Sequence, residues 1–113
     1  MNYLQTAKET LDLYTQEIDR LKQRLSDEFN QAVELMLHCE GRVVVAGIGK
    51  SGLVGKKMVA TFASTGTPSF FLHPTEAFHG DLGMLKPIDV VILISNSGET
   101  DDVNKLIPSL KSF

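Results

Sequence analysis

Leu4, Ala7, Leu11, Tyr14, Ile18, Leu21 and Leu25 follow one another in alternating steps of three and four. That spacing lines one face of a helix, and Lys8, Glu9, Asp12, Gln16, Asp19, Lys22 and Gln23 fill most of the other positions. The stripe suits packing on the helix's own domain or against another subunit. Ser26 then reads as an N-cap, and Phe29, Val33, Met36 and Leu37 form a second apolar stripe. Gly41 is expected to end that helix in the left-handed conformation. Beyond it the period changes. Residues 42–46, 69–73 and 89–95 are short apolar runs that predict strands, and residues 51–64 and 99–112 predict helices. Pro108 should kink the last helix or cost it one backbone hydrogen bond. The chain thus divides into N-terminal helices, residues 1–40, and an α/β unit, residues 41–113.

Three apolar strands joined by helical crossovers imply a three-layer α/β/α, doubly wound parallel sheet of flavodoxin-like type. The pattern stops where a fourth strand would normally follow. The expectation is therefore the N-terminal part of a longer domain, truncated after the third strand, with residues 90–94 as an open edge.

Composition narrows the classes. A chain of 113 residues with 42% hydrophobic and 22% charged residues is one domain or part of one, and is not disordered. Eleven Lys and Arg against 14 Asp and Glu give a net charge of -3, which offers no electrostatic attraction for nucleic acid or an anionic membrane. Cys39 is the single cysteine, so no intrachain disulfide and no cysteine-based zinc site can form. The apolar runs are too short to span a bilayer and the first twelve residues are too polar for a signal peptide, so a cytoplasmic protein is expected.

Candidate chemistry begins at Val43-Val44-Val45-Ala46-Gly47-Ile48-Gly49-Lys50-Ser51-Gly52, where a strand turns into a helix. Glycines let a ligand approach the backbone, a helix N-terminus offers N–H groups to an anion, and Lys50 adds a positive charge. A Walker A loop needs glycine where Val44 stands. Gly47, Gly49 and Gly52 match the dinucleotide pattern G-x-G-x-x-G, and Glu76 stands at about the required distance, but beyond the strand end where a ribose ligand would sit. A purely structural glycine turn remains the bland alternative.

Ser95-Asn96-Ser97-Gly98-Glu99-Thr100 follows the third strand and opens the last helix. Its three hydroxyls, with the N–H groups of Gly98 and Thr100, are suited to cradle a phosphate monoester without a metal, whereas an ordinary cap needs only one hydroxyl. Between the two loops, His73, Glu76, His79 and Asp81 crowd a segment beyond the second strand. In parallel sheets ligands bind at that end of the strands, and the histidines could serve as acid/base groups or metal ligands. His38, beside Cys39 in the second helix, reads as structural.

Gly47-Ile48-Gly49-Lys50-Ser51-Gly52, Ala63-Ser64-Thr65-Gly66-Thr67-Pro68, His79-Gly80-Asp81-Leu82-Gly83 and Ser95-Asn96-Ser97-Gly98-Glu99 stand together in this order. They resemble the motifs of the sugar isomerase (SIS) domain family, and within it the bacterial D-arabinose 5-phosphate isomerases. The resemblance runs from about residue 6 to residue 113. It implies interconversion of D-ribulose 5-phosphate and D-arabinose 5-phosphate, a Kdo precursor for lipopolysaccharide or capsule. It further implies that Ser95, Ser97 and Thr100 hold the phosphate, with Asn96 beside them. Gly66, Thr67, His73 and His79 would line the substrate site with Gly49 and Ser51.

Lys50 corresponds to a catalytically relevant lysine, suited to stabilise an enediolate, and His79 is the best proton carrier in the chain. Asp102 stands where the family usually has a catalytically relevant glutamate, its carboxylate drawn back by one methylene. His73 matches a position that can bind zinc, although the chemistry requires neither a metal nor a redox cofactor. The family also implies a homo-oligomer, a tetramer, and further site residues beyond residue 113. Two other readings stand beside the enzyme: a non-catalytic module that senses a sugar phosphate, and an inactive fragment of the isomerase.

Overall fold

The computed structural model describes residues 2–98 and 101–112. Backbone contacts divide the chain into two units, Met1–Glu34 and Leu35–Phe113. In the first, helix α1 (Tyr3–Arg24) starts at Asn2, whose side chain accepts the Gln5 N–H at 3.0 Å. It ends with Lys22 and Arg24 in its last turn, where cations suit the helix dipole. The apolar stripe forms as expected but is not buried in this chain, with exposure from 53% at Leu21 to 66% at Leu4. Helix α2 (Asp27–Leu37) follows after two residues, with Asp27 and Glu28 in its first turn. The side-chain amides of Asn30 and Gln31 donate to the Asp27 carboxylate.

In the second unit the valine-rich run forms strand β1 (Val43–Gly47), every residue of which is buried. Strands β2 (Ser69–Leu72) and β3 (Val90–Ile94) pair with it on either side, both parallel, in the order β2-β1-β3. Helix α3 (Gly49–Ser64) connects β1 to β2. The return to β3 passes through the short helix α4 (Pro74–Ala77) and a 3-10 turn (Asp81–Met84), and helix α5 (Asp101–Lys111) follows β3.

Alternation along the strands sets the two faces. Val44 and Ala46 of β1 join Leu72, Ala77, Leu85 and Leu106 in one buried cluster, which binds α4 and α5 to the sheet. Val45 and Phe71 lie on the opposite face against α3, where Gly55 leaves room for both side chains. Gly52 lets α3 approach still closer, since a Cβ there would stand 2.7 Å from the Gly47 carbonyl oxygen. Gly52 and Gly55 therefore serve helix–strand packing. The expected α/β/α layering and parallel sheet are present. Among the described residues β3 pairs only with β1, and all five of its apolar side chains are half-buried.

One local expectation fails. Gly41 does not cap α2, which ends at Leu37, and its φ is not positive. A side chain at Gly41 would instead strike the Asp89 carboxylate and the backbone of Ile88, so the residue is small because another segment packs on it. Pro108 lies inside α5, which runs on to Lys111 as a helix that loses the proline's backbone donor. The expected start of that helix at residue 99 lies outside the described residues.

Candidate active site

The chain leaves β1 for β2 on one side and returns to β3 on the other, so the connections diverge between β1 and β3. In such sheets the gap outside the carboxyl ends of the two diverging strands is the natural ligand crevice. Register fixes what borders it. Gly47 pairs with Ile94 and Ala46 with Leu72, which brings the residues after all three strands to one edge.

The loop after β1 carries Gly49, Lys50 and Ser51. Gly49 adopts φ +62°, a conformation that favours glycine, and Ile48 gives α3 no side-chain cap. The first N–H groups of α3 thus have no capping side chain, and Lys50 is exposed with no ion pair or hydrogen bond among the described residues.

After β3, Ser95 is half-buried while Asn96, Ser97 and Gly98 are exposed. The Gly98 N–H, expected to face a phosphate, instead donates to Ser95 Oγ at 3.1 Å. With Gly98 at φ +72° this closes a tight turn in which the Ser95 hydroxyl shapes the loop as an acceptor. Thr100 and Glu99 lie outside the described residues.

His73 follows β2 and caps α4, its Nδ1 accepting the Thr75 N–H at 3.2 Å. The neutral ring then carries its proton on Nε2. The Phe71 ring meets His73 edge-on at 6.5 Å. The Thr75 hydroxyl donates to Asp102 Oδ2 at 3.0 Å, which joins the loop after β2 to the first turn of α5. His79 lies just past α4, exposed, its backbone N–H donating to Glu76 at 2.9 Å.

Gly66 and Thr67 are not brought to this edge. Helix α3 carries the chain back to the opposite end of the sheet, where Thr67 N–H bonds Phe62 and the Pro68 carbonyl accepts from Val43. They border a small cavity with Met36, Cys39, Gly41 and Val43, at the amino ends of the strands. Among the described residues no three His, Cys, Asp or Glu side chains converge. Among these residues His73 therefore belongs to no three- or four-ligand set of the kind that holds zinc. The residue that sequence reasoning missed is Thr75. Its signal was His73-Pro74, since proline favours the first helical position and marks the preceding residue as a cap.

The comparisons with known proteins agree with this architecture. The SIS domain model matches residues 36–113, and the chain belongs to the SIS domain family. Over all 113 residues it is 74% identical to the "Probable arabinose 5-phosphate isomerase" of Haemophilus influenzae, and spans 34% of that protein. It is 56% identical over 108 residues, 96% of the chain, to arabinose 5-phosphate isomerase GutQ of Shigella flexneri, again spanning 34% of it. The chain thus covers about a third of the curated relatives it matches. Among solved structures, an E. coli CFT073 protein in complex with arabinose 5-phosphate is 46% identical, with a TM-score of 0.82, and the match covers 99% of this chain and 61% of that one. A protein of Listeria monocytogenes, 38% identical, superposes with a TM-score of 0.90 over 99% of this chain and 61% of its own. Among the described residues no helix is long and apolar enough to cross a membrane.

Proposed function

We propose that this chain is the N-terminal part of an aldose–ketose isomerase that interconverts D-ribulose 5-phosphate and D-arabinose 5-phosphate. The observation that carries the reading is the shared edge: Lys50, His73 and the Ser95–Gly98 turn all follow carboxyl ends of strands around one crevice. Relatives 74% and 56% identical, both named as arabinose 5-phosphate isomerases, supply the substrate.

The reaction moves one proton between C1 and C2 of an open-chain sugar phosphate. It needs an anchor, a base and a donor for the enediolate oxygen. Ser95, Asn96, Ser97 and Thr100 form the anchor, assisted by hydroxyl donors and the dipole of the following helix. Lys50 offsets the charge that develops on the enediolate, with Gly49 and Ser51 beside it. His79 carries the proton. Asp102 orients or shares it, and the Nε2–H of His73 hydrogen-bonds the sugar. No redox cofactor is needed, and no step requires a metal. Gly66 and Thr67 reach a site only in a neighbouring subunit. The exposed stripe of α1 and the apolar groove along α3, about 540 Å³ and bordered by Leu53, Val54, Met58 and Phe62, support a homo-oligomer, and we extend this to a tetramer. The enzyme acts in the cytoplasm, supplying Kdo synthesis for lipopolysaccharide or capsule.

The test is isomerase activity on D-arabinose 5-phosphate, followed by ketose formation, with the 113-residue chain and the full-length protein side by side. Activity in the full-length protein, lowered strongly by Lys50→Met, is expected. Phosphate-ester binding without turnover in the full-length protein would replace the enzyme with the sensing module.

A further inference from the structure

We propose that Thr75 is a positioning residue of this site, fixing the His73 imidazole and the Asp102 carboxylate relative to one another through two separate hydrogen bonds. The inference rests on the isomerase reading and adds to it a residue that neither the loop motifs nor the strand ends single out. Thr75 sits at the second position of α4, directly over the carboxyl end of β2. Its backbone N–H donates to His73 Nδ1 at 3.2 Å, and its hydroxyl donates to Asp102 Oδ2 at 3.0 Å.

The two bonds act on different degrees of freedom. The backbone bond selects the ring tautomer of His73 and holds the ring at the helix end, so that Nε2–H points its donor away from α4. The hydroxyl bond acts on Asp102, 27 residues further on and in the first turn of α5. A carboxylate at a helix start is otherwise free to rotate about two torsions, and one hydroxyl donor of a stiff, β-branched side chain reduces that freedom.

The platform beneath is rigid. Ala77 of α4 and Leu106 of α5 are 1% and 0% exposed in one cluster with Leu72, so the two helix starts cannot drift apart without opening the core. Thr75 itself is exposed and contributes nothing to that core, which leaves its hydroxyl free to act on the site.

The test is steady-state kinetics of the full-length protein on D-arabinose 5-phosphate. Four variants are compared with the wild type: Thr75→Val, Thr75→Ser, Asp102→Ala and the double Thr75→Val/Asp102→Ala. Thr75→Val keeps the β-branch and the backbone N–H and removes only the hydroxyl. It is expected to lower kcat about tenfold, a fraction of what a positioned acid/base group supplies, with KM within about twofold. Thr75→Ser restores the rate, and in the Asp102→Ala background Thr75→Val has no further effect.

Unchanged kcat in Thr75→Val, an equal loss in Thr75→Ser, or independent multiplicative losses in the double variant would each overturn the proposal. An inactive wild type overturns the isomerase reading and this role with it. An active wild type with an indifferent Thr75 overturns only the role. Thermal melts of all four variants check folding, and a loss of activity that tracks a fall in Tm also counts against it.

Discussion

Asp89 grips the backbone of Arg42, 47 residues earlier, by accepting its N–H at 2.7 Å through Oδ1, while Oδ2 accepts the Lys86 N–H at 2.8 Å. The carboxylate thereby ties the entrance of β1 to the entrance of β3, and the Arg42 guanidinium turns back to the Met84 carbonyl at 2.7 Å. Desolvation works to raise the Asp89 pKa, but the two backbone bonds and the charges of Arg42 and Lys86 outweigh it and hold the group below its ordinary value. A carboxylate depressed in this way stabilises the fold fully above its unfolded value, and the contribution drains away as pH falls through the folded one. Asp89→Ala should destabilise the unit by about 1–3 kcal/mol at neutral pH, because two backbone donors lose their acceptor. Thermal melts from roughly pH 6 to pH 3 should show a shallower acid slope in the variant. An identical slope would remove Asp89 as the source.

The glycines of α3 and of the 3-10 turn should separate cleanly. A Cβ on Gly52 would stand 2.7 Å from the Gly47 carbonyl oxygen, which is backbone and cannot swing aside. Gly52→Ala should therefore cost about 1–3 kcal/mol as α3 is pushed from β1. Gly83 has nothing within 4 Å of such a Cβ and no positive φ, so Gly83→Ala should be neutral within about 0.5 kcal/mol in denaturant melts.

The stripe on α1 makes a prediction about assembly. Leu11 and Ile18 are 61% and 65% exposed, so glutamate at either position disturbs nothing within the chain. Leu11→Glu with Ile18→Glu in the full-length protein should lower the molar mass measured by light scattering while leaving its secondary structure intact. An unchanged mass would place the subunit contact elsewhere.

Much of this architecture is legible in the chain because period and burial coincide. The stripe from Leu4 to Leu25 and the valine run of β1 each bear one signal, and both elements form where they are expected. What periodicity does not carry is long-range contact. Gly41 resembles a helix cap in sequence, yet its size is set by Asp89, 48 residues away and invisible to any local pattern. Gly66 and Thr67 share a family motif with the site, yet α3 delivers them to the opposite end of the sheet. Thr75 has only the local His73-Pro74 cap signal, and its partner Asp102 lies beyond another strand, where no local pattern reaches. The family resemblance names the loops, and only the topology says which of them share an edge.

The turn after β3 offers the sharpest test of the anchor, because two different substitutions reach it by different routes. Ser95→Ala removes a hydroxyl that both donates to a phosphate in the proposed complex and accepts the Gly98 N–H at 3.1 Å. Gly98→Ala keeps every hydroxyl but forces a Cβ into φ +72°, at a cost of about 1–2 kcal/mol to the loop conformation. If the turn is the anchor, both should raise KM for D-arabinose 5-phosphate by about tenfold, a loss of about 1.4 kcal/mol in binding, with kcat less affected. Inorganic phosphate, as a competitive inhibitor, should weaken by a similar factor in each. The inhibitor decides the matter, since it has no sugar to contact Lys50, His73 or His79. A rise in KM with phosphate inhibition unchanged would mean that the turn holds the sugar and that the phosphate is gripped at the N-terminus of α3.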